Sequence, residues 1–200
     1  MKINSARLAW HDCTYTETRG GLSGLEQQCL LGTAVQTTDR GVTANSAAHG
    51  TVAGWIQSAI AKLTPEVRVF GDFMYAPRPD RRRADDIREA AEEVVFNLVV
   101  ARSPRMTAAK REKLEYVVKG VMRRYQYMHQ GGQSANADPL ASPEKFRAWL
   151  YAEMGCRLES CAWARDWEPF VQRAFECCED LDRMALSPVA AVIYEMKDAA

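Results

Sequence analysis

Residues 106–132 read MTAAKREKLEYVVKGVMRRYQYMHQGG, and their periodicity decides the fold class. Leu114, Val117, Val118, Val121, Met122, Tyr125 and Met128 recur at steps of three and four, which lines one face of an α-helix with apolar side chains. Thr107 supplies an N-cap oxygen, and the glycines that follow His129 and Gln130 end the run. Working toward the C-terminus, Ser142-Pro143-Glu144 restarts a helix that Gly155 stops. Ser160 begins another, interrupted or restarted near Pro169, with Trp163, Trp167, Phe170, Ala174, Cys178 and Leu181 on one face. Ser187-Pro188 opens a last helix.

Toward the N-terminus the same pattern holds with less regularity. A helix is expected from about Asp85 to Ala101, with Ile87, Ala90, Ala91, Val94 and Leu98 on one face and Phe96 and Val99 opposite. The stretch APRPDRRRADD at 76–86 combines prolines with a run of charge and reads as a connector. It divides the chain into an N-terminal region, 1–77, and a helical region, 78–200, which could also pack as one domain. Val52, Trp55, Ile56, Ala59, Ile60 and Leu63 mark a helix that starts after Asn45 or Ser46, ends at Thr64-Pro65, and is followed by a short helix toward Tyr75. Before residue 45 the pattern is weak, with one short helix suggested by the capping pair Ser23 and Glu26. Strand alternation and tight hairpin turns are nearly absent, so the expectation is a mainly α, multi-helix globular protein with a candidate helix-turn-helix in its C-terminal half.

Composition bounds the function. With 200 residues and 47% hydrophobic content, the chain can bury a full core. Its 26 Lys and Arg balance 26 Asp and Glu, so it is no general polycation, but the charge is unevenly spread. Residues 101–130 hold eight basic and two acidic side chains, net +6, while 150–200 hold five basic and ten acidic, net −5. No apolar run has the length of a signal peptide or membrane span, which predicts a cytoplasmic protein without a membrane partner. Cys13, Cys29, Cys156, Cys161, Cys177 and Cys178 show no CxxC spacing and are expected as reduced thiols.

Residues able to do chemistry are few. RGGLSG at 19–24 lacks the GK[ST] ending of a phosphate loop. His11, Asp12 and Cys13 are sequence neighbours, which do not converge on one point without unusual backbone geometry. His49 shares a face with Val52 and Ile56, as a core or edge histidine would. The four C-terminal cysteines lack two zinc knuckles, and Cys177 and Cys178 should point to different sides of a helix. The expectation is therefore no catalytic site, no metal, no cofactor and no small-molecule substrate.

The basic segment points to double-stranded DNA. Lys113, Gly120, Arg124 and Tyr127 fall along one helix flank with Lys119 and Arg123 nearby, and Arg102, Arg105, Lys110 and Arg111 precede them. Such side chains supply the phosphate contacts that position a protein on a duplex, although a solvated helix face has the same composition. Around Gly155, the residues Leu150, Met154, Cys156, Cys161 and Ala164 match the apolar spacing of a helix-turn-helix, with Ser160 and Arg165 placed to read bases. Tyr151 is large for its place in that motif, Asp166 and Glu168 are unfriendly to phosphate, and an ordinary helical hairpin fits equally well.

Beyond these patterns, TTDRGVTANSAAHGTVAGWI (37–56), FGDFMYAP (70–77), residues 106–132, SPEKFRAWL (142–150) and WARDWEPF (163–170) resemble the Q-type transcription antiterminators of phage late genes. The resemblance implies a protein that binds a DNA element near a promoter and joins RNA polymerase paused there with its σ factor. Such a factor then stays on the elongating enzyme and narrows the RNA exit channel so that terminator hairpins cannot form. Some members carry a zinc-binding loop whose cysteine spacing is missing here, so the resemblance brings no metal with it. Two other readings fit the residues: a simple DNA-binding activator, and a helical adaptor or inhibitor that binds only protein. A small enzyme would need His11, Cys13, His49 or His129 to meet in one pocket.

Overall fold

The last helix of the chain, α8 (Glu168–Asp198), runs for 31 residues and touches most of the others. The computed structural model describes residues 5–18, 40–77, 81–103, 105–129, 137–161 and 163–198, and among them seven helices precede it. They are α1 (Ala6–Thr18), α2 (Arg40–Ala61), α3 (Pro65–Tyr75), α4 (Arg81–Ala101), α5 (Ala108–Met128), α6 (Pro143–Met154) and the single turn α7 (Trp163–Asp166). No strand occurs among the described residues, and the protein is a mainly α, multi-helix fold. No helix among them is long and apolar enough to cross a membrane.

α8 packs against α1, α2, α3, α4, α5 and α7, and α6 is held through α5. Helices on both sides of the expected boundary at 77/78 thus contribute to one core, from Trp10 and Phe70 to Val95, Val121 and Cys178. The buried residues of α8, Val171, Ala174, Cys177, Cys178, Leu181, Asp182, Ala185, Val189 and Ile193, recur at helical spacing and form one broad stripe. Cys177 and Cys178, adjacent on the helix, are both fully buried because that stripe is wide enough to cover both directions. On α4 the seam is Ala91, Val95 and Val99, spaced four apart and fully buried, with Ile87, Val94 and Leu98 half-buried beside it.

Local signals account for several helix ends. Thr107 Oγ1 accepts from the Lys110 amide at 3.4 Å, Ser142 Oγ accepts from the Glu144 amide at 3.3 Å, and Pro65 and Pro143 occupy first-turn positions. Gly155 closes α6 with φ of 64°, a left-handed conformation in which a Cβ would be strained. Elsewhere the structure corrects the sequence reading. The charged run that reads as a connector is helical from Arg81, since only residues up to Pro79 carry proline. α2 already extends back to Arg40, and Asn45 and Ser46 lie inside it instead of capping it. Among the described side chains of α1, Ala9, Trp10 and Cys13 are buried, too few to give a clear stripe along the sequence. Ser187-Pro188 opens no new helix, and α8 continues through Pro188. The carbonyl that Pro188 leaves without its usual donor belongs to exposed Met184, where water can serve, while Val189 and Ile193 stay buried. Ser23 and Glu26 lie outside the described residues.

One buried carboxylate ties the bundle together. Asp182, in the middle of α8, is 5% exposed. Arg7 of α1 donates Nη2 to its Oδ2 at 2.9 Å, Tyr75 of α3 donates its hydroxyl to Oδ1, and Tyr125 of α5 donates to Oδ2 at 3.2 Å. Burial, followed by the adjacent Asp182 charge, raises the pKa of both tyrosines, so they remain protonated donors. Beside them the His129 ring lies tilted against Tyr125 with ring centroids 4.4 Å apart, and burial and then Arg7 lower its pKa. Further bonds join the same elements: Trp10 Nε1 donates to Asp72 Oδ1 at 3.2 Å, and Gln126 Nε2 donates to the Phe73 carbonyl at 3.1 Å.

Close approach uses two glycines. A Cβ at Gly71 would strike the Trp10 indole, and one at Gly120 would lie 2.7 Å from Phe146. Deleting the central carboxylate should be worse than overpacking either site. Asp182→Ala leaves Arg7 partly buried without its counter-ion and should cost about 3–5 kcal/mol, against about 1–3 kcal/mol for Gly120→Ala. Urea unfolding followed by circular dichroism measures both, and a loss below about 1 kcal/mol for Asp182→Ala would remove the carboxylate from its structural role.

Candidate nucleic-acid interface

After Gly155 the chain runs in extended form, with Cys156 and Leu158 buried and Arg157 and Glu159 exposed. The two apolar anchors fix this connection against the bundle, so Arg157 is presented outward from a supported segment. Its carbonyl accepts from Lys113 Nζ of α5 at 3.2 Å. Next, Asp166 of α7 accepts from Lys110 Nζ of α5 at 2.9 Å and from Arg165 Nη2 at 3.0 Å. Arg165 first, then Lys110, pull the Asp166 carboxyl down to about 2, so it is ionised at neutral pH and faces two cations.

An open groove of about 810 Å³ adjoins this cluster, lined by Ser142, Arg147, Ser160, Cys161, Trp163 and Arg165 among others. Arg147 lies over the Trp163 ring at 5.5 Å, and Trp163 meets Phe146 edge-on at 6.0 Å. The indole is buried and orients the guanidinium by a cation–π contact. Lys110, Lys113, Arg147, Arg157 and Arg165 therefore surround one connection, joined through Asp166, the Arg157 carbonyl and the groove. Exposed ion pairs of this kind contribute about 0–1 kcal/mol, so the cations can exchange Asp166 for a phosphate at little cost.

Nine of the ten residues expected to contact DNA fall in three places on the surface, and the tenth is internal. Lys110, Lys113, Ser160 and Arg165 belong to the cluster. Arg102, Arg105 and Arg111 flank the start of α5: Arg102 pairs with Asp180 at 2.9 Å, Arg105 is exposed, and Arg111 lies over Phe96 at 5.9 Å. Lys119 pairs with Glu115 at 2.8 Å, and with Arg123 it lines a separate groove between α4 and α6. Arg124 is internal instead. Its Nε donates to Asp138 Oδ2 at 3.0 Å, and the guanidinium lies 5.3 Å from the Phe146 ring and 4.7 Å from the Phe175 ring, fastening the segment before α6. Helical spacing places Arg124 beside Lys113 but carries no information about Asp138 across the loop.

The sequence reading missed Arg147 and Arg157. The alternation of Cys156, Arg157, Leu158 and Glu159 signals an extended, half-buried segment, and treating it as the turn of a helix-turn-helix obscured this. The connection from Gly155 to Trp163 is longer than a turn of about 3–4 residues, and α7 is only a single turn before Trp167 and α8.

The other chemically suggestive residues do not assemble. His11 and Asp12 are adjacent on α1 with Nδ1 and Oδ1 3.3 Å apart, while Cys13 is buried and donates Sγ to the Trp10 carbonyl at 3.1 Å. Among the described residues, no three His, Cys, Asp or Glu side chains come together as a metal site, and Cys156, Cys161, Cys177 and Cys178 are free thiols. The Gly-rich run at 19–24, Cys29 and the His49 side chain lie outside the described set.

No family model, curated protein or solved structure matches the chain.

Two outcomes check this arrangement. Arg124→Ala should lower stability by about 3–5 kcal/mol, since it removes the guanidinium packed on Phe146 and Phe175 and leaves half-buried Asp138 without its cation, whereas Arg157→Ala and Arg165→Ala should stay within about 0.5 kcal/mol of wild type in urea titrations. For the thiols, burial pushes Cys156, Cys177 and Cys178 above the usual cysteine range, leaving less thiolate near pH 8. Iodoacetamide followed by peptide mass mapping should therefore label exposed Cys161 well before those three. First labelling at Cys178 would contradict the packing of α8.

Proposed function

We propose that this protein is a DNA-binding transcription antitermination factor that loads on promoter-proximal RNA polymerase and lets it read through terminators. The observation that carries the DNA-binding part is the group of five cations around the supported 155–166 connection. Lys110, Lys113, Arg147, Arg157 and Arg165 contact phosphates, with Arg102, Arg105 and Arg111 extending the basic surface along the start of α5 and Ser160 nearest a base edge. Asp166 lowers non-specific attraction by holding two of these cations until a phosphate replaces it. The polymerase and σ-factor part rests on the resemblance to Q-type antiterminators. The factor works by binding, in the cytoplasm, and needs no cofactor.

Loss of each phosphate contact should flatten the slope of log affinity against log salt by about 0.9 on B-form DNA. Arg157→Glu and Arg165→Glu should do so, Asp166→Asn should raise affinity, and Arg123→Glu, which alters the other groove, should change little. An Arg157→Glu/Arg165→Glu double variant that keeps both affinity and slope would remove this surface from DNA binding. Single-round transcription on templates with and without a terminator then tests the activity. An antiterminator raises the ratio of distal to proximal transcript and requires its DNA element only for loading, whereas an activator raises both transcripts equally. An unchanged readthrough ratio on the cognate promoter would refute antitermination while leaving the DNA surface standing.

A further inference from the structure

On another face of the bundle, α4, α5 and α6 enclose a groove of about 710 Å³ that the DNA-binding reading leaves unused. Its apolar surface comes from Phe96 on α4, Met122 on α5, and Trp149 and Met154 on α6. Phe96, Trp149 and Met154 are half-buried, so the groove offers aromatic area and the adaptable thioether of Met154 to an incoming side chain. Its rim is acidic. Arg88 pairs with Asp85 at 3.1 Å and approaches Glu92 at 3.6 Å, and Lys119 pairs with Glu115 at 2.8 Å, so those two cations are already engaged. Glu89, Glu93 and Glu153 have no ion pair among the described residues, and Arg123 alone opposes them.

We infer that this groove docks a basic amphipathic helix of a protein partner, with apolar side chains over Trp149 and Phe96 and Lys or Arg beside Glu89, Glu93 and Glu153. The charge excess selects the sign of the partner's flanks. The walls select its conformation. All three are helices whose backbone groups are internally bonded, with no sheet edge to pair an extended peptide. A bound helix satisfies its own amides, whereas an extended segment would bury unpaired ones. Spacing of the anchors along one helix face follows as i, i+3 or i+4, and i+7.

The test uses a fluorescein-labelled synthetic peptide of about 15 residues, helix-forming, with Leu on one face and Lys on its flanks, and a second peptide with Glu replacing Lys. Fluorescence anisotropy at fixed salt should show the full-length protein binding the Lys peptide and not the Glu peptide. Trp149→Ala should weaken binding at least about tenfold, and Glu89→Lys/Glu93→Lys, at two exposed positions, should abolish it. Circular dichroism and the urea midpoint establish that each variant is folded, and the double variant decides the matter if Trp149→Ala is not. Failure of the Lys peptide to bind, undiminished binding by the double variant, or equal weakening by the control Glu179→Lys on α8 would each overturn the inference. So would sedimentation showing a dimer that Glu89→Lys/Glu93→Lys converts to monomer, because the groove would then hold a second copy of the chain. None of these outcomes depends on DNA binding or on terminator readthrough.

Discussion

A charge removed from water must be met by donors, and the Asp182 carboxylate meets three, each from a different helix. Arg7 lies in the first turn of α1, Tyr75 at the end of α3 and Tyr125 in the last turn of α5, so these bonds fix both the rotation and the axial position of three helices against α8. Apolar burial alone would hold the helices together while tolerating small slides of one past another. A directed cluster of this kind removes that tolerance, since any slide strands a buried donor or the carboxylate itself. The placement of α5 in turn determines where Lys110 and Lys113 meet the 155–166 connection, so the candidate DNA surface depends on a buried contact that touches no ligand.

The structure changes the meaning of the charge segments. The acidic excess of residues 150–200 suggests a free surface for a protein partner, yet several of those acids are used internally. Asp182 is buried, Asp180 pairs with Arg102 and Arg183, and Asp166 holds Lys110 and Arg165. Beside the apolar groove, by contrast, Glu89 and Glu93 of α4 and Glu153 of α6 have no ion pair among the described residues. Likewise the basic run 102–124 is divided between the bundle interior, two surfaces and the flank of α8. Net charge along a sequence describes electrostatics only after folding has decided which charges neutralise one another.

Arg124 and Arg157 show why residue type is insufficient. Both are arginines near the expected DNA-binding elements. Arg124 is enclosed by Phe146, Phe175 and Asp138, and its role is to hold a loop. Arg157 sits between two buried apolar anchors that turn it outward. The difference arises from residues distant in sequence, and in the first case from a partner across the loop that separates α5 from α6.

What the sequence by itself determined is the part governed by short-range physics. Thr64-Pro65, Thr107 and Ser142-Pro143 start helices at their expected positions, Gly155 stops one, and the stripe from Leu114 to Tyr125 is buried. These follow from hydrogen-bond caps and a 3.6-residue period, which involve neighbours within one or two turns. Only the tertiary structure decided that α8 continues through Pro188, that Cys177 and Cys178 are both buried, that Arg124 is internal, and that Arg147 and Arg157 join Lys110, Lys113 and Arg165. Each depends on which elements surround a residue in space, and on partners too distant along the chain for helical spacing to reveal.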